Sequence, residues 1–173
     1  MLQTKRLQLR AASADDVELV WSASRIQGFN DGMVWDPPQT REELISIAKD
    51  NLDRWEEGTA YTFTVDLVET RKAIGRVGIR CEDNPSLWNI GFWIHPDHWQ
   101  CGYATEATRV VIDFGFKTLE ASRITTAHAV WNKASKRVIE KLGFRFTCEN
   151  PCGFEKQGKP VVEYEYAIEK KSL

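Results

Sequence analysis

Polar and apolar residues alternate along several short stretches of the chain, which is the pattern of strands that bury one face. These stretches cover residues 4–10, 61–67, 73–80, 88–94, 123–131, 144–146 and 161–168. Short turns join 61–67, 73–80 and 88–94, so these three predict an antiparallel meander. The last two stretches are predicted to pair as a hairpin, with residues 150–153 and 156–160 lying between the strands.

Apolar residues at three- and four-residue steps predict about four helices. The first begins after Ser13 and the second after Thr40, since both residue types favour the N-cap position. Glu43, three residues beyond Thr40, completes a predicted capping box. The buried stripe of the second helix is predicted to be Leu44, Ile47, Ala48 and Leu52. The third helix follows the turn at 100–105, and a short fourth helix covers 134–142.

Composition narrows the class of protein. With 173 residues and 42% apolar content, the chain is long enough for one domain, residues 1–173, with a real core. A net charge of -2 argues against direct nucleic-acid binding, because such proteins normally carry a basic excess. No apolar run reaches about 18 residues, so no membrane span is expected. No signal-peptide core follows Met1, and we expect a cytoplasmic protein.

Cysteine and histidine spacing does not indicate a metal site. The four cysteines, at positions 81, 101, 148 and 152, suit neither a zinc site nor a dense disulfide scaffold, so reduced thiols are expected. His95 and His98 have the spacing of a metal-binding pair, but no third ligand is evident. We therefore predict that the protein holds no metal.

Residues 88–116 combine a strand, a tight turn and a helix. Pro96 ends the strand because proline has no N–H group for a sheet ladder. The turn at 100–105 contains Gly102 and small residues and leads into the helix. Unpaired N–H groups and the helix dipole converge at such a helix start, so the turn is predicted to bind a phosphate or pyrophosphate. The alternative is an ordinary strand–helix junction with nothing bound.

Residues 95–107 resemble the acyl-CoA-binding motif of the GNAT acetyltransferases, Arg/Gln-x-x-Gly-x-Gly/Ala. Gly102 and Ala104 match the small residues of that motif. Trp99 stands where Arg or Gln is usual, as is common in the Rim-type branch, the ribosomal-protein N-terminal acetyltransferases. Gln100 and Cys101 depart from the Gly and Gln that this branch has next.

Two further segments are similar to the Rim-type branch. Residues 4–10 match its opening pattern, Thr-x-Arg-Leu-x-Leu-Arg, and residues 132–144 match Asn-x-x-Ser, a short helix and Lys-Leu-Gly-Phe. The resemblance implies an α/β (α+β) fold, the GNAT acyl-CoA N-acyltransferase fold. Its central sheet is mixed and largely antiparallel, with a parallel splay between the fourth and fifth strands and about four helices.

The resemblance also implies acetyl-CoA as substrate, coenzyme A as product, and no metal. The implied cofactor-binding residues are Phe92, Trp93, Ile94, Gln100, Cys101, Gly102, Tyr103, Ala104, Thr105, Asn132 and Ser135. Ser135 is in addition a predicted catalytic residue, which would hydrogen-bond the leaving sulfur. The alternative for Asn132 and Ser135 is helix capping, for which both residue types are well suited.

The general base is less clear from the sequence. Many superfamily members carry a glutamate where Asn89 stands, and an amide cannot take the proton. His95 is the predicted catalytic base because an imidazole exchanges protons near neutral pH, although it could equally be a surface residue at the strand end. The residues implied to line the acceptor site are Phe29, Asp31, Trp35, Asp36 and Asn89. Phe29 and Trp35 could instead plug the edge of the core.

Three function classes are consistent with these residues. The first is an N-acetyltransferase whose primary-amine acceptor is a protein N-terminus, attacking acetyl-CoA directly. The second is an N-acetyltransferase for a small-molecule amine such as a polyamine, amino sugar or antibiotic, and the third is a non-catalytic acyl-CoA-binding module. The expected partner is the amine acceptor, with no nucleic acid and no membrane, and the chain is expected to be a monomer or homodimer.

Overall fold

The computed structural model describes residues 1–170. The strands are β1 (Leu2–Gln3), β2 (Leu7–Ala11), β3 (Ala60–Leu67), β4 (Ala73–Cys81), β5 (Leu87–Ile94), β6 (Arg123–Ala129), β7 (Arg145–Lys156) and β8 (Lys159–Glu169). The helices are α1 (Val17–Ser24), α2 (Arg41–Glu56), α3 (Tyr103–Lys117) and α4 (Lys133–Lys141). Short 3₁₀ turns at Ala14–Asp16 and Pro96–His98 precede α1 and follow β5.

The eight strands form one mixed sheet in the order β1-β2-β3-β4-β5-β6-β8-β7. Every neighbouring pair is antiparallel except β5 and β6, which are parallel and are joined through α3. The predicted fold, with its parallel pair and four helices, is confirmed. Its fourth and fifth strands are β5 and β6 here because the two-residue strand β1 adds one to the count.

The two faces of the sheet differ sharply in polarity. One face is apolar and packs against α3, with Val77 and Ile79 of β4 and Trp88 and Ile90 of β5 all buried. Because side chains alternate along a strand, the neighbouring positions point the other way. This second face is polar, and strand register places on it Arg76, Arg80, Asn89, Thr125, Glu163 and Glu165. The apolar face forms the core that stabilises the fold, and the polar face is available to line a binding site.

Two sequence predictions about α2 and its cap were wrong in part. Thr40 caps α2, since its hydroxyl accepts a hydrogen bond from the Glu43 amide, but the Glu43 carboxylate accepts from the Gln39 amide instead of the Thr40 amide. Of the predicted stripe, Leu44 and Ala48 are buried, whereas Ile47 and Leu52 are 47% and 39% exposed. Ile47 lies on the same side as Leu44 but borders an open cavity and not the core.

The prediction that residues 150–153 lie between the last two strands was also wrong. Residues 150–153 belong to β7, which pairs with β8 from Arg145 to Lys156. The pairing register shifts between Asn150 and Phe154, so this segment bulges from the ladder. Pro151 and Gly153 are tolerated there because a bulge needs neither a ladder N–H group nor a packed side chain.

A buried ionic network fastens the start of α1 to the sheet. Arg10 of β2 donates to Asp16 through Nη2 at 2.6 Å and to Asp66 through Nε at 2.7 Å. The Thr64 hydroxyl and the Ser13 amide also donate to the Asp16 carboxylate, at 2.7 and 2.9 Å. Both oxygens of this buried carboxylate therefore accept hydrogen bonds, and the start of α1 is tied to β2 through Arg10 and to β3 through Thr64.

We expect Asp16→Ala to lower the free energy of unfolding by about 3 kcal/mol, because it leaves the partly buried Arg10 without its main partner. Burial acts to raise the pKa of Asp16, but the hydrogen bonds from Arg10, Ser13 and Thr64 outweigh it and lower that pKa. The stability that Asp16 contributes is thus complete above the unfolded-state pKa of about 4 and is lost as pH falls through the lower folded-state value.

Urea unfolding at neutral and strongly acidic pH measures this effect. The stability difference between the wild type and Asp16→Ala should shrink in acid. Asp15→Ala is the matched control, since Asp15 is exposed in the same turn, and it should change stability little at either pH. An equal loss for both variants would contradict the assigned role of the network.

Candidate active site

The parallel strands β5 and β6 part shortly after they begin. Their register pairs are only Leu87–Arg123, Trp88–Ile124 and Asn89–Thr125. Beyond this fork β5 stays paired with β4 as far as Ile94, and β6 stays paired with β8, so a gap opens between two intact sheet halves. The Asn89 side chain closes the fork by donating to the Thr125 hydroxyl at 3.1 Å. The β5 edge beyond the fork is free to pair with a bound molecule.

The turn after β5 presents main-chain donors at the end of this gap. Gln100 and Gly102 have positive φ angles of 62° and 80°, and Gly102 is the N-cap of α3. The first α3 amide bonded to the chain is that of Glu106, which donates to the Gly102 carbonyl at 3.1 Å. Among residues 1–170, the amides of 103–105 have no acceptor, as expected for the first turn of a helix. This geometry fits a pyrophosphate.

Side chains from the start of the chain brace the turn. Arg6 donates through Nη1 to the Cys101 carbonyl at 3.2 Å and through Nε to the Glu106 carboxylate at 2.8 Å, and its guanidinium lies 4.6 Å from the Tyr103 ring centroid. The Thr4 hydroxyl donates to the same carboxylate at 2.5 Å. Burial acts to raise the pKa of Glu106, but the bonds from Thr4 and Arg6 outweigh it and lower that pKa. These hydrogen bonds offset the negative charge of the Glu106 carboxylate, which lies beside the turn that is predicted to bind an anion.

Trp99 braces the other end of the turn. Its indole Nε1 donates to the carbonyl of Ile94, the last residue of β5, at 2.6 Å. The sequence predicted neither this contact nor the Arg6 brace. In the sequence, Arg6 was marked only by the Thr-x-Arg opening pattern, and Trp99 only by the tryptophan of the Rim-type motif.

A cavity of about 1170 Å³ spreads from the fork over the polar face of the sheet. It is bounded by β5 and β6, the start of α4, the loop between α1 and α2, and the β7–β8 hairpin. Its lining includes the predicted site residues Trp35, Asp36, Asn89, Phe92, Trp93, Asn132 and Ser135. Predicted residues from three parts of the chain, the α1–α2 loop, β5 and the start of α4, are thus brought to one cavity.

Asn132 and Ser135 lie at the first turn of α4. The Asn132 Oδ1 atom accepts a hydrogen bond from the Ser135 amide at 3.0 Å, so Asn132 caps the helix, as the capping alternative predicted. Ser135 is half-buried in this first turn and lines the cavity. The capping bond uses the Ser135 main chain and leaves its hydroxyl available for a ligand.

The predicted turn residues 100–105 and the buried Ile94 lie outside the lining of the cavity, and so do three further predicted residues. His95 Nδ1 accepts a hydrogen bond from the Asp97 amide at 3.2 Å and caps the 3₁₀ turn after β5. Phe29 is buried, with its ring centroid 5.4 Å from that of Trp93, and supports the wall from behind. Asp31 is exposed on the loop. The functional roles of these residues stay predictions.

Lys156, near the tip of the β7–β8 hairpin, holds the loop between α1 and α2. Its Nζ atom donates to the carbonyls of Trp35 at 2.8 Å and Met33 at 3.2 Å, and lies 2.9 Å from Asp36 Oδ1. The lysine side chain is largely buried. The outer wall of the cavity is therefore fixed by a residue about 120 positions away in sequence, which no local pattern indicates.

Within residues 1–170, no group of three or more His, Cys, Asp or Glu residues is arranged to hold a metal ion. The four cysteines are free. None of the helices in this range has the length and apolar character that crossing a membrane requires.

Comparison with known proteins agrees with this geometry. Residues 6–145 match the model of the acetyltransferase (GNAT) domain family, so the chain belongs to that family. It is 30% identical over 149 residues to the uncharacterized N-acetyltransferase p20 of Bacillus licheniformis, covering 83% of this chain and 82% of that protein. The chain is accordingly an acetyl-CoA-dependent N-acetyltransferase.

Solved structures show the same fold. A GNAT-family acetyltransferase from Bacillus anthracis superposes with a TM-score of 0.87 at 23% identity, covering 97% of each chain. RimL, a ribosomal L7/L12 α-N-protein acetyltransferase solved in complex with coenzyme A, superposes with a TM-score of 0.86 at 17% identity, covering 96% of this chain and 95% of that one. The GNAT fold is thus one that binds coenzyme A.

We expect Gly102→Ala to weaken coenzyme A binding about tenfold, or about 1.4 kcal/mol, because a Cβ at a φ of 80° strains the turn and shifts its amides. Calorimetric titration with coenzyme A measures the change. Gly158→Ala is the matched control, since Gly158 has a φ of 73° at the hairpin tip, with no atom within 4 Å of the added Cβ. Equal affinity in both variants would show that the turn does not hold the cofactor.

Proposed function

We propose that this enzyme transfers the acetyl group of acetyl-CoA to the α-amino group at the N-terminus of a protein or peptide. The observation that carries the proposal is the extent of the cavity, which runs from the fork over the polar face of the sheet to the α1–α2 loop and the β7–β8 hairpin. Its volume of about 1170 Å³ has to hold both the pantetheine arm and the acceptor. An extended peptide end could lie along this length of the polar face, whereas a small amine needs only the part beside the fork.

The main chain of the fork and turn is suited to hold acetyl-CoA. The amides of residues 100–105 would bind the pyrophosphate, and the free edge of β5 at 92–94 would pair with the pantetheine arm as an added strand. The thioester would then lie at the fork, in the cavity that Asn89 and Ser135 line. Acetyl-CoA supplies the activated carbonyl carbon, and the protein supplies position and polar contacts.

The chemistry then needs no protein nucleophile. The acceptor amine would attack the thioester carbonyl directly, and a β5 N–H group beyond the fork, where pairing with β6 has ended, would stabilise the oxyanion. The C–S bond breaks as the tetrahedral intermediate collapses, and the Ser135 hydroxyl would hydrogen-bond the departing sulfur. A peptide α-amine suits such a site because its pKa, about 7.7–8.0, lies well below that of lysine.

A small polycationic amine is the second candidate acceptor. The carboxylates of Asp36, Glu163 and Glu165 line the cavity and would attract several ammonium groups at once. This candidate differs from the first in one measurable way, since it predicts that a free amine without a peptide backbone is a good substrate.

An acceptor panel tests the proposal. Coenzyme A release is followed with acetyl-CoA and equal concentrations of three acceptors: a peptide with a free N-terminus, the same peptide with a blocked N-terminus and an internal lysine, and spermidine. We expect turnover with the free N-terminus and at least about 100-fold less with the blocked peptide, with the product's acetyl group located by mass spectrometry. Preferential acetylation of spermidine would favour the second candidate.

We expect Ser135→Ala to lower kcat about tenfold or more, with little change in acetyl-CoA affinity, because the hydroxyl acts on the sulfur only as the bond breaks. Steady-state kinetics and calorimetry separate the two quantities. The control is Ser22→Ala, at an exposed position of α1 outside the cavity lining. Unchanged turnover in Ser135→Ala would remove this residue from the mechanism.

A further inference from the structure

Strand β8 brings two carboxylates to the wall of the cavity. Glu163 and Glu165 alternate along β8 and share its polar face, and strand register sets them opposite Ala129 and Ala127 of β6. Because the β6 residues between these carboxylates and the fork have methyl side chains, little bulk separates the two groups from the gap. Both carboxylates line the same cavity as Ser135.

The two carboxylates differ in how they are held. Glu165 accepts a hydrogen bond from Asn150 Nδ2 at 2.8 Å, and the Cys148 thiol lies 3.4 Å from its other oxygen. Glu163 is half-buried, and within residues 1–170 its carboxylate has neither a hydrogen bond nor an ion pair. One acid of the pair is thus fixed as a structural group, and the other is left free to exchange a proton.

The backbone makes room for Glu163. Gly153 lies in the bulge of β7, and a Cβ there would overlap the Glu163 carboxylate, coming within 2.7 Å of its Cδ atom. Any other residue at position 153 would displace the acid. The bulge gives up hydrogen bonds between β7 and β8, and in return it leaves space for the Glu163 side chain at the cavity wall.

We propose that Glu163 is the general base of the reaction, an inference that rests on the proposed function. Its carboxylate takes one proton from the acceptor ammonium, which leaves a neutral amine. The amine nitrogen forms the N–C bond to the thioester carbonyl, the C–S bond breaks, and the electron pair leaves on sulfur. The second proton lost by nitrogen passes to that sulfur through the Ser135 hydroxyl, giving the amide and the coenzyme A thiol. Glu163 then releases its proton to solvent.

The charges around Glu163 suit this role. Burial and the like charge of Glu165 raise the pKa of Glu163, and Arg80 across the cavity on β4 opposes them. The Cys148 thiol of β7 lies against Glu165, the residues of β6 opposite the pair are alanines, and Asp36, Arg76 and Arg123 line the same cavity. A base works best with a pKa raised toward the working pH. Asn89, by contrast, cannot accept the proton and is engaged with Thr125.

Kinetics of Glu163→Gln over a pH series test the proposal, with the best acceptor of the panel. We expect kcat near pH 7 to fall about 100-fold, with the acetyl-CoA KM unchanged. The acid limb that Glu163 sets in the wild type should be replaced by a rise in rate that continues up to the pKa of the acceptor amine, about 7.7–8.0 for an α-amine. The deficit should narrow above about pH 8, where an α-amine is already neutral in solution.

Two further variants make the test specific. Gly153→Ala keeps the carboxylate but displaces it, and should lower kcat with unaltered calorimetric affinity for coenzyme A. Glu155→Gln removes an exposed carboxylate from the same hairpin and should behave as the wild type.

The outcomes separate this inference from the proposed function. A Glu163→Gln enzyme with kcat within about threefold of the wild type at all pH values would overturn the assignment, as would a change confined to the acceptor KM, which indicates ammonium binding alone. A wild type that acetylates no peptide or amine would contradict the proposed function instead.

Discussion

The parting of β5 from β6 is the constraint on which the rest of the structure depends. A parallel pair inside a sheet normally satisfies its main-chain groups along its whole length, and unpaired buried N–H and C=O groups are costly. Here the ladder stops after Asn89 and Thr125, with each strand still paired on its outer side. The fold can keep the gap open because β4 and β8 hold the two halves rigid. The unsatisfied edge is in turn what an extended, hydrogen-bonding cofactor arm can satisfy.

The difference in polarity between the two faces of the sheet explains how the enzyme combines a stable core with a polar site. Val77, Ile79 and Ile90 on one face pack under α3 and bury enough apolar surface to fix the strands. Since alternation forces the intervening residues to the opposite face, that face is available for polar side chains at no expense to the core. Acceptor binding and proton transfer are both placed on it in our proposals.

The local features of the site could be predicted from sequence. Pro96 and Gly102 act on their own backbone, so the strand end, the turn and the start of α3 are encoded within about ten residues. Asn132 likewise caps α4 through a contact three residues long.

The features that sequence reasoning missed depend on contacts between distant residues. Arg6 reaches Cys101, and Glu163 meets Gly153 only because a bulge shifts the register of β7. Ile47 was predicted to be buried because a residue facing a cavity has the same helical spacing as one facing a core. Pro151 and Gly153 indicated a loop for a similar reason, since bulges and loops use the same residues.

The Lys156 contacts bear on how acceptor preference changes in evolution. One ammonium group ties the carbonyls of Met33 and Trp35 to the hairpin, so the position of one wall of the cavity depends on the other. Transplanting the segment between α1 and α2 from a relative, without its matching hairpin, would leave that segment without its anchor. A new acceptor specificity in this fold should therefore require compensating substitutions in the α1–α2 loop and in the β7–β8 hairpin. Covariation should be strongest between these two segments, although they lie far apart in the sequence.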